Sequence, residues 1–71
     1  MTKYEVVIYW SKEDGAYIAE VPQLAGCVAH GDSQEEALHN AQDAISLWLR
    51  TAREFGDPIP AEPVGRRLVL A

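Results

Sequence analysis

One cysteine is all the chain offers for covalent cross-linking, so Cys27 cannot form a disulfide within it. A lone thiol is what a reducing compartment permits, and the expectation is an intracellular, cytoplasmic protein. Long apolar runs are also missing. Residues 1–5 pass straight into strand-like sequence with no apolar region of signal-peptide length, and no stretch is long enough to span a bilayer. Basic residues are scarce: six Lys and Arg stand against eleven Asp and Glu, a formal net charge of −5. That balance repels a phosphate backbone, which argues against direct nucleic-acid binding and favours a basic partner surface. Acidity is weak support by itself, because many soluble proteins carry net negative charge for solubility alone.

The residue types of catalysis are thin as well. His30 and His39 are the only histidines, and neither stands at metal-ligand spacing from Cys27 or from a carboxylate. A cysteine nucleophile needs a base and a group to orient it, and nothing local to Cys27 supplies either, so a small buried thiol is the favoured reading. The carboxylates are scattered over turns, strand faces and the polar side of a helix, whereas acid–base or two-metal chemistry needs them convergent. Gly15, Gly26, Gly31, Gly56 and Gly65 are isolated turn or cap glycines and make no phosphate-cradling loop. The expectation is a protein without metal, cofactor or catalytic centre.

What is present is pattern. At 71 residues there is room for one core, and a chain of this size buries only about 60% of the surface that unfolding exposes. An oligomer or a partner is the natural supplement. Residues 4–10 are β-branched and aromatic and predict a strand; Asp14 and Gly15 close a hairpin turn; residues 16–21 return antiparallel. Pro22 ends that strand, and residues 27–30 form a short third one.

Ser33, with Glu36 three residues on, opens a helix of about 22 residues; Gly56 suits its C-cap, and Pro58 prevents its continuation. Ala37, Leu38, Ala41, Ala44, Ile45, Trp48, Ala52 and Phe55 form its apolar stripe. A proline-rich connector then leads to a last strand at residues 66–71. The fold class is α+β, in the order β-β-β-α-β, a small antiparallel sheet with one long helix on one face.

This arrangement leaves an apolar surplus. In strand one Tyr4, Val6, Ile8 and Trp10 share one face, while Val7 and Tyr9 fall on the other, and a single helix covers only one of them. Val7 and Tyr9 are therefore candidate partner contacts. Leu47, about 120° from the centre of the helix stripe, is another. Glu35, Glu36, Asp43 and Glu54 on the polar side of the helix complete the set as acidic contacts for a basic partner.

The run Val21-Pro22-Gln23-Leu24-Ala25-Gly26-Cys27-Val28-Ala29-His30-Gly31-Asp32-Ser33-Gln34-Glu35-Glu36-Ala37-Leu38-His39-Asn40-Ala41 resembles the signature of HicB-family antitoxins. In that family a strand ends in proline, a Gly-Cys turn follows, and Gly-Asp-Ser/Thr opens the helix. The likeness continues to Gly56, Asp57, Pro58, Ile59 and Pro60, so it covers nearly the whole chain. It implies a partial ribonuclease-H-like fold without the nuclease's acidic cluster. It also implies a homo-oligomer, a dimer or tetramer, that neutralises a HicA-type mRNA interferase toxin by covering its active surface.

Many relatives carry a C-terminal DNA-binding domain, and the sequence stops at Ala71, so the expectation is one antitoxin domain over residues 1–71 that binds protein and not DNA. The signature residues Pro22, Gly26, Cys27, Gly31, Asp32 and Ser33 are turn and cap residues; they identify the fold and do not locate the toxin contacts. The alternative is a stand-alone homo-oligomeric binding protein without a cognate toxin. A ribonuclease-H-like nuclease is disfavoured, because the acidic cluster it needs is missing.

Overall fold

The computed structural model describes residues 4–60. Strands β1 (Val7–Ser11), β2 (Ala16–Glu20) and β3 (Val28–Gly31) form an antiparallel sheet in the order β1-β2-β3, and helix α1 (Gln34–Phe55) packs on one face of it. The class is α+β, as the hydrophobic pattern predicts. The last strand expected at residues 66–71 lies outside the described residues.

The hairpin forms where Asp14 and Gly15 place it. Ser11 pairs with Ala16, and the turn is closed by Gly15 N–H donating to the Ser11 carbonyl at 2.8 Å. Ser11 therefore extends β1 one residue beyond its expected end. At the other end β1 starts at Val7 rather than at residue 4, because Tyr4 is spent on the core, buried with Val21, Leu24, Cys27 and Ile45. Its hydroxyl donates to the Pro60 carbonyl, which ties the segment after the helix to the approach of β1.

Between β2 and β3 the chain makes a compact turn. Val21 N–H donates to the Cys27 carbonyl at 3.0 Å, Leu24 N–H to the Val21 carbonyl at 3.1 Å, and Cys27 N–H to the Leu24 carbonyl at 3.0 Å. These bonds absorb the backbone of Val21 and Cys27, so β2 ends at Glu20 and β3 begins at Val28, each one residue off the expected bound. Leu24 in the middle of the turn is fully buried, which converts a polar-looking loop into a core element.

Helix α1 runs between the expected caps. Ser33 Oγ accepts from Glu36 N–H at 3.0 Å, and Glu36 Oε1 accepts from Asp32 N–H at 3.0 Å, so the reciprocal bond reaches the residue before the cap instead of the cap itself. Gly56 takes the left-handed conformation (φ 68°), and its region returns N–H groups to the Ala52 and Arg53 carbonyls.

Two apolar groups make the core. Tyr4, Val21, Leu24, Cys27 and Ile45 form one, and Ala19, Ala37 and Ala41 form the other, bridged by Val6 on the covered face of the sheet. The alanines bring helix and strands close together. Two stripe residues and one residue of the covered strand face depart from expectation: Leu38 is 38% exposed, Phe55 74% and Trp10 54%. A 22-residue helix is about 33 Å long, whereas five-residue strands reach only about 17 Å, so the end of α1 overhangs the sheet and Phe55 has no strand beneath it. Trp10 stands at the far end of β1, edge-on to Tyr17 with ring centroids 5.0 Å apart.

Candidate interaction surfaces

Strand alternation sorts the sheet into a covered and an open face. On the open face the register aligns Val7, Glu20 and Val28 in one row and Tyr9, Ile18 and His30 in the next. Val7, Tyr9 and Val28 are exposed large apolar side chains, so the open face is an apolar patch with one carboxylate near its middle. The Tyr9 hydroxyl donates to Glu20 Oε2. That bond, with desolvation and the nearby charges of Glu20 and Asp14 adding to it, holds the Tyr9 phenol above its ordinary pKa. Beside Tyr9 a shallow hollow of about 340 Å³ is bounded by Asp14, Ala16, Ile18 and His30.

A second apolar surface lies along the C-terminal half of α1. A groove of about 390 Å³ runs between the helix and the start of β3, with Cys27, Val28, Ala44, Trp48 and Ala52 among its walls and Leu47, Thr51 and Asp57 at its margin. Trp48 is fixed there by its indole N–H, which donates to the Ala25 carbonyl at 2.9 Å. Burial pushes the Cys27 thiol up in pKa, as expected for a small buried cysteine. Leu47 is 58% exposed, in line with its position off the helix stripe.

The seven candidate contacts therefore divide between two sides of the molecule. Val7 and Tyr9 are on the open sheet face, and Glu35, Glu36, Asp43, Leu47 and Glu54 are on the helix, all exposed. Glu36 is already engaged at the helix start, and Asp43 lies 3.6 Å from His39 Nε2 one turn earlier. The groove itself was beyond the reach of sequence pattern, since Trp48 reads as core. The available signal is the four-residue step from Leu47, off the stripe, through Thr51 to Phe55 at the end of the stripe. Among the described residues no three or more His, Cys, Asp or Glu side chains are grouped to hold a metal ion, and no helix is long and apolar enough to cross a membrane.

The family described as HicB_like antitoxin of bacterial toxin-antitoxin system matches residues 4–66. The chain belongs to this family. The chain is also similar to curated relatives. A UPF0150 protein of Synechocystis is 40% identical over 58 residues, covering 82% of this chain and 78% of the relative. A UPF0150 protein of Thermoplasma acidophilum is 37% identical over 60 residues, covering 84% and 86%. A UPF0150 protein of Helicobacter pylori is 53% identical over 38 residues, covering 54% and 53%. No solved structure matches this HicB-like chain.

Proposed function

We propose that the chain is the antitoxin of a toxin–antitoxin pair, acting in the cytoplasm by binding a HicA-type mRNA interferase and covering its active surface. The observation that carries this reading is membership of the HicB-like antitoxin family over residues 4–66. Its physical support is a net charge of −5, suited to a basic partner, and two exposed apolar surfaces on a small domain. In this reading neutralisation is occlusion: the antitoxin supplies surface, not chemistry, and contacts protein rather than nucleic acid.

The open sheet face supports a second element of the proposal, self-association. Val7, Tyr9, Ile18 and Val28 present side chains that a second copy could cover with the same set, as a two-fold dimer requires. If no toxin exists for this chain, that face supports the alternative of a stand-alone homo-oligomeric binding protein.

Co-expression with the small reading frame beside the gene tests the antitoxin reading. Growth arrest by the toxin alone, relieved on co-expression and accompanied by co-purification of the two chains, is the expected result. Persistent arrest with no complex would overturn it. For self-association, sedimentation equilibrium is expected to show more than the monomer mass, falling to the monomer for Val7→Asp; a concentration-independent monomer in the unsubstituted protein would refute it.

A further inference from the structure

The groove between α1 and β3 is the part of the molecule that neither the core nor the open sheet face explains. Its walls are apolar, and Leu47 beside it is 58% exposed. Its rim is acidic. Asp57 is at the margin; Asp43 is one turn before Leu47 on the same helix flank, and Glu54 is three residues after Thr51 on that flank. Glu54 and Asp57 have no ion-pair partner among the described residues, and Asp43 has only His39. Arg50 is the one fixed cation on the flank, so the rim carries a surplus of negative charge beside an apolar trough.

We propose that this groove is the docking site for a basic amphipathic segment of a partner protein, one that seats an apolar side chain between Leu47 and Trp48 and places Lys or Arg against Asp43, Glu54 and Asp57. The inference rests on the antitoxin reading for the partner's identity alone; the chemistry follows from the apolar walls and the charge of the rim. Apolar contact supplies affinity, and the carboxylates supply orientation and discrimination against acidic segments. The polar ring also explains why so much apolar surface is tolerated: the acids limit self-docking of the acidic chain.

Trp48 gives a direct readout. In a Trp10→Phe background it is the sole tryptophan, and its emission can be followed while a designed amphipathic peptide of leucine and lysine is titrated into the full chain. Saturable change in Trp48 emission is expected, weakened by added salt and at least about tenfold by Leu47→Asp. The paired charge reversal Asp43→Lys with Glu54→Lys is expected to weaken it several-fold and to admit the leucine–glutamate counterpart instead. Far-ultraviolet circular dichroism of each variant checks that the exposed substitutions leave the fold intact.

Absence of a Trp48 response, or equal binding of the acidic peptide by the unsubstituted rim, would overturn the proposal. So would a Trp48 emission that changes with protein concentration before peptide is added, which would make a second copy the occupant. A change caused by Arg66→Glu with Arg67→Glu alone would make the chain's own C-terminal residues the occupant, with the same consequence. The titration contains no toxin, so a negative result counts against the groove and leaves the antitoxin reading standing. Failure to neutralise with peptide binding intact counts against that reading and leaves the groove standing.

Discussion

Gly31 and Ala37 approach so closely that a Cβ on Gly31 would lie 2.5 Å from the Ala37 backbone nitrogen. The chain leaves β3 and turns into α1 there, and the first turn of the helix lies directly over the end of the strand. The same Cβ would meet the carbonyl carbon and the Cβ of Glu36, each at 2.9 Å. These neighbours are helix backbone and its first side-chain atom, so none can rotate away.

Gly31→Ala is consequently expected to destabilise the protein by about 1–3 kcal/mol, the range for forcing extra atoms into a well-packed site. Thermal and urea unfolding read this directly. Gly31 does not have positive φ, so the penalty is one of contact, and a larger side chain such as Val should cost more than Ala. Equal stability of Gly31→Ala and the parent would show that helix and strand can separate without cost.

The helix start allows a graded test. Ser33→Ala removes the acceptor of Glu36 N–H and should cost about 1 kcal/mol, whereas Ser33→Asp keeps an acceptor and adds a charge suited to the helix N-terminus. The expected order in urea midpoint is Ser33→Asp close to the parent and Ser33→Ala clearly below both. Glu36→Ala should lose less than Ser33→Ala, since the Asp32 N–H it leaves is exposed and can bond to water.

Cys27 ties the core to the groove. Burial raises the thiol above its ordinary value of 9.0, so the folded state holds its proton more tightly than the unfolded state does. Its contribution to stability is full below pH 9.0 and is lost as pH rises through the higher folded value. Alkylation by iodoacetamide is expected to be much slower in the native protein than in urea, and a single thiol makes the assignment unambiguous. Cys27→Ser should destabilise more than Cys27→Ala, because it buries a hydroxyl with stronger need of a partner. Native alkylation as fast as in urea would contradict the burial.

Local signals explain what the sequence made legible. Ser33, Gly56 and the alternation of Val6, Val7, Ile8 and Tyr9 act through neighbours in the chain, and the helix bounds and the open side of the sheet follow from them. The misplaced stripe residues depend on relative lengths: Phe55 obeys helical periodicity, but whether anything lies beneath it is decided by how far the strands reach. The groove is tertiary in the same sense. Ala25 and Trp48 are far apart in sequence, and only the crossing of α1 over β3 brings the indole N–H to that carbonyl. Of the contact candidates, Val7 and Tyr9 were legible as exposed because a strand has only two faces; the acidic helix residues were legible only as exposed, since charge spacing does not say which of them flank a groove.

Tyr9 is one of three tyrosines, and its phenol is held above 10.0 chiefly by the hydrogen bond to Glu20, whose charge opposes a tyrosinate beside it. An acid whose folded pKa is raised contributes stability fully below its unfolded value, and that contribution is lost as pH rises through the folded value. The tyrosinate ultraviolet absorbance of the native chain should therefore develop late relative to the unfolded chain. Tyr9→Phe should remove the late component. Glu20→Gln keeps an acceptor but removes the charge, so it should move the Tyr9 transition down without abolishing its hydrogen bond. If a second copy covers the open face, the transition should also move up with protein concentration, because the tyrosinate would then be formed in a less hydrated site. Val7→Asp should abolish the concentration dependence by breaking the interface. A Tyr9 titration unchanged by Glu20→Gln would show that the two side chains are not coupled.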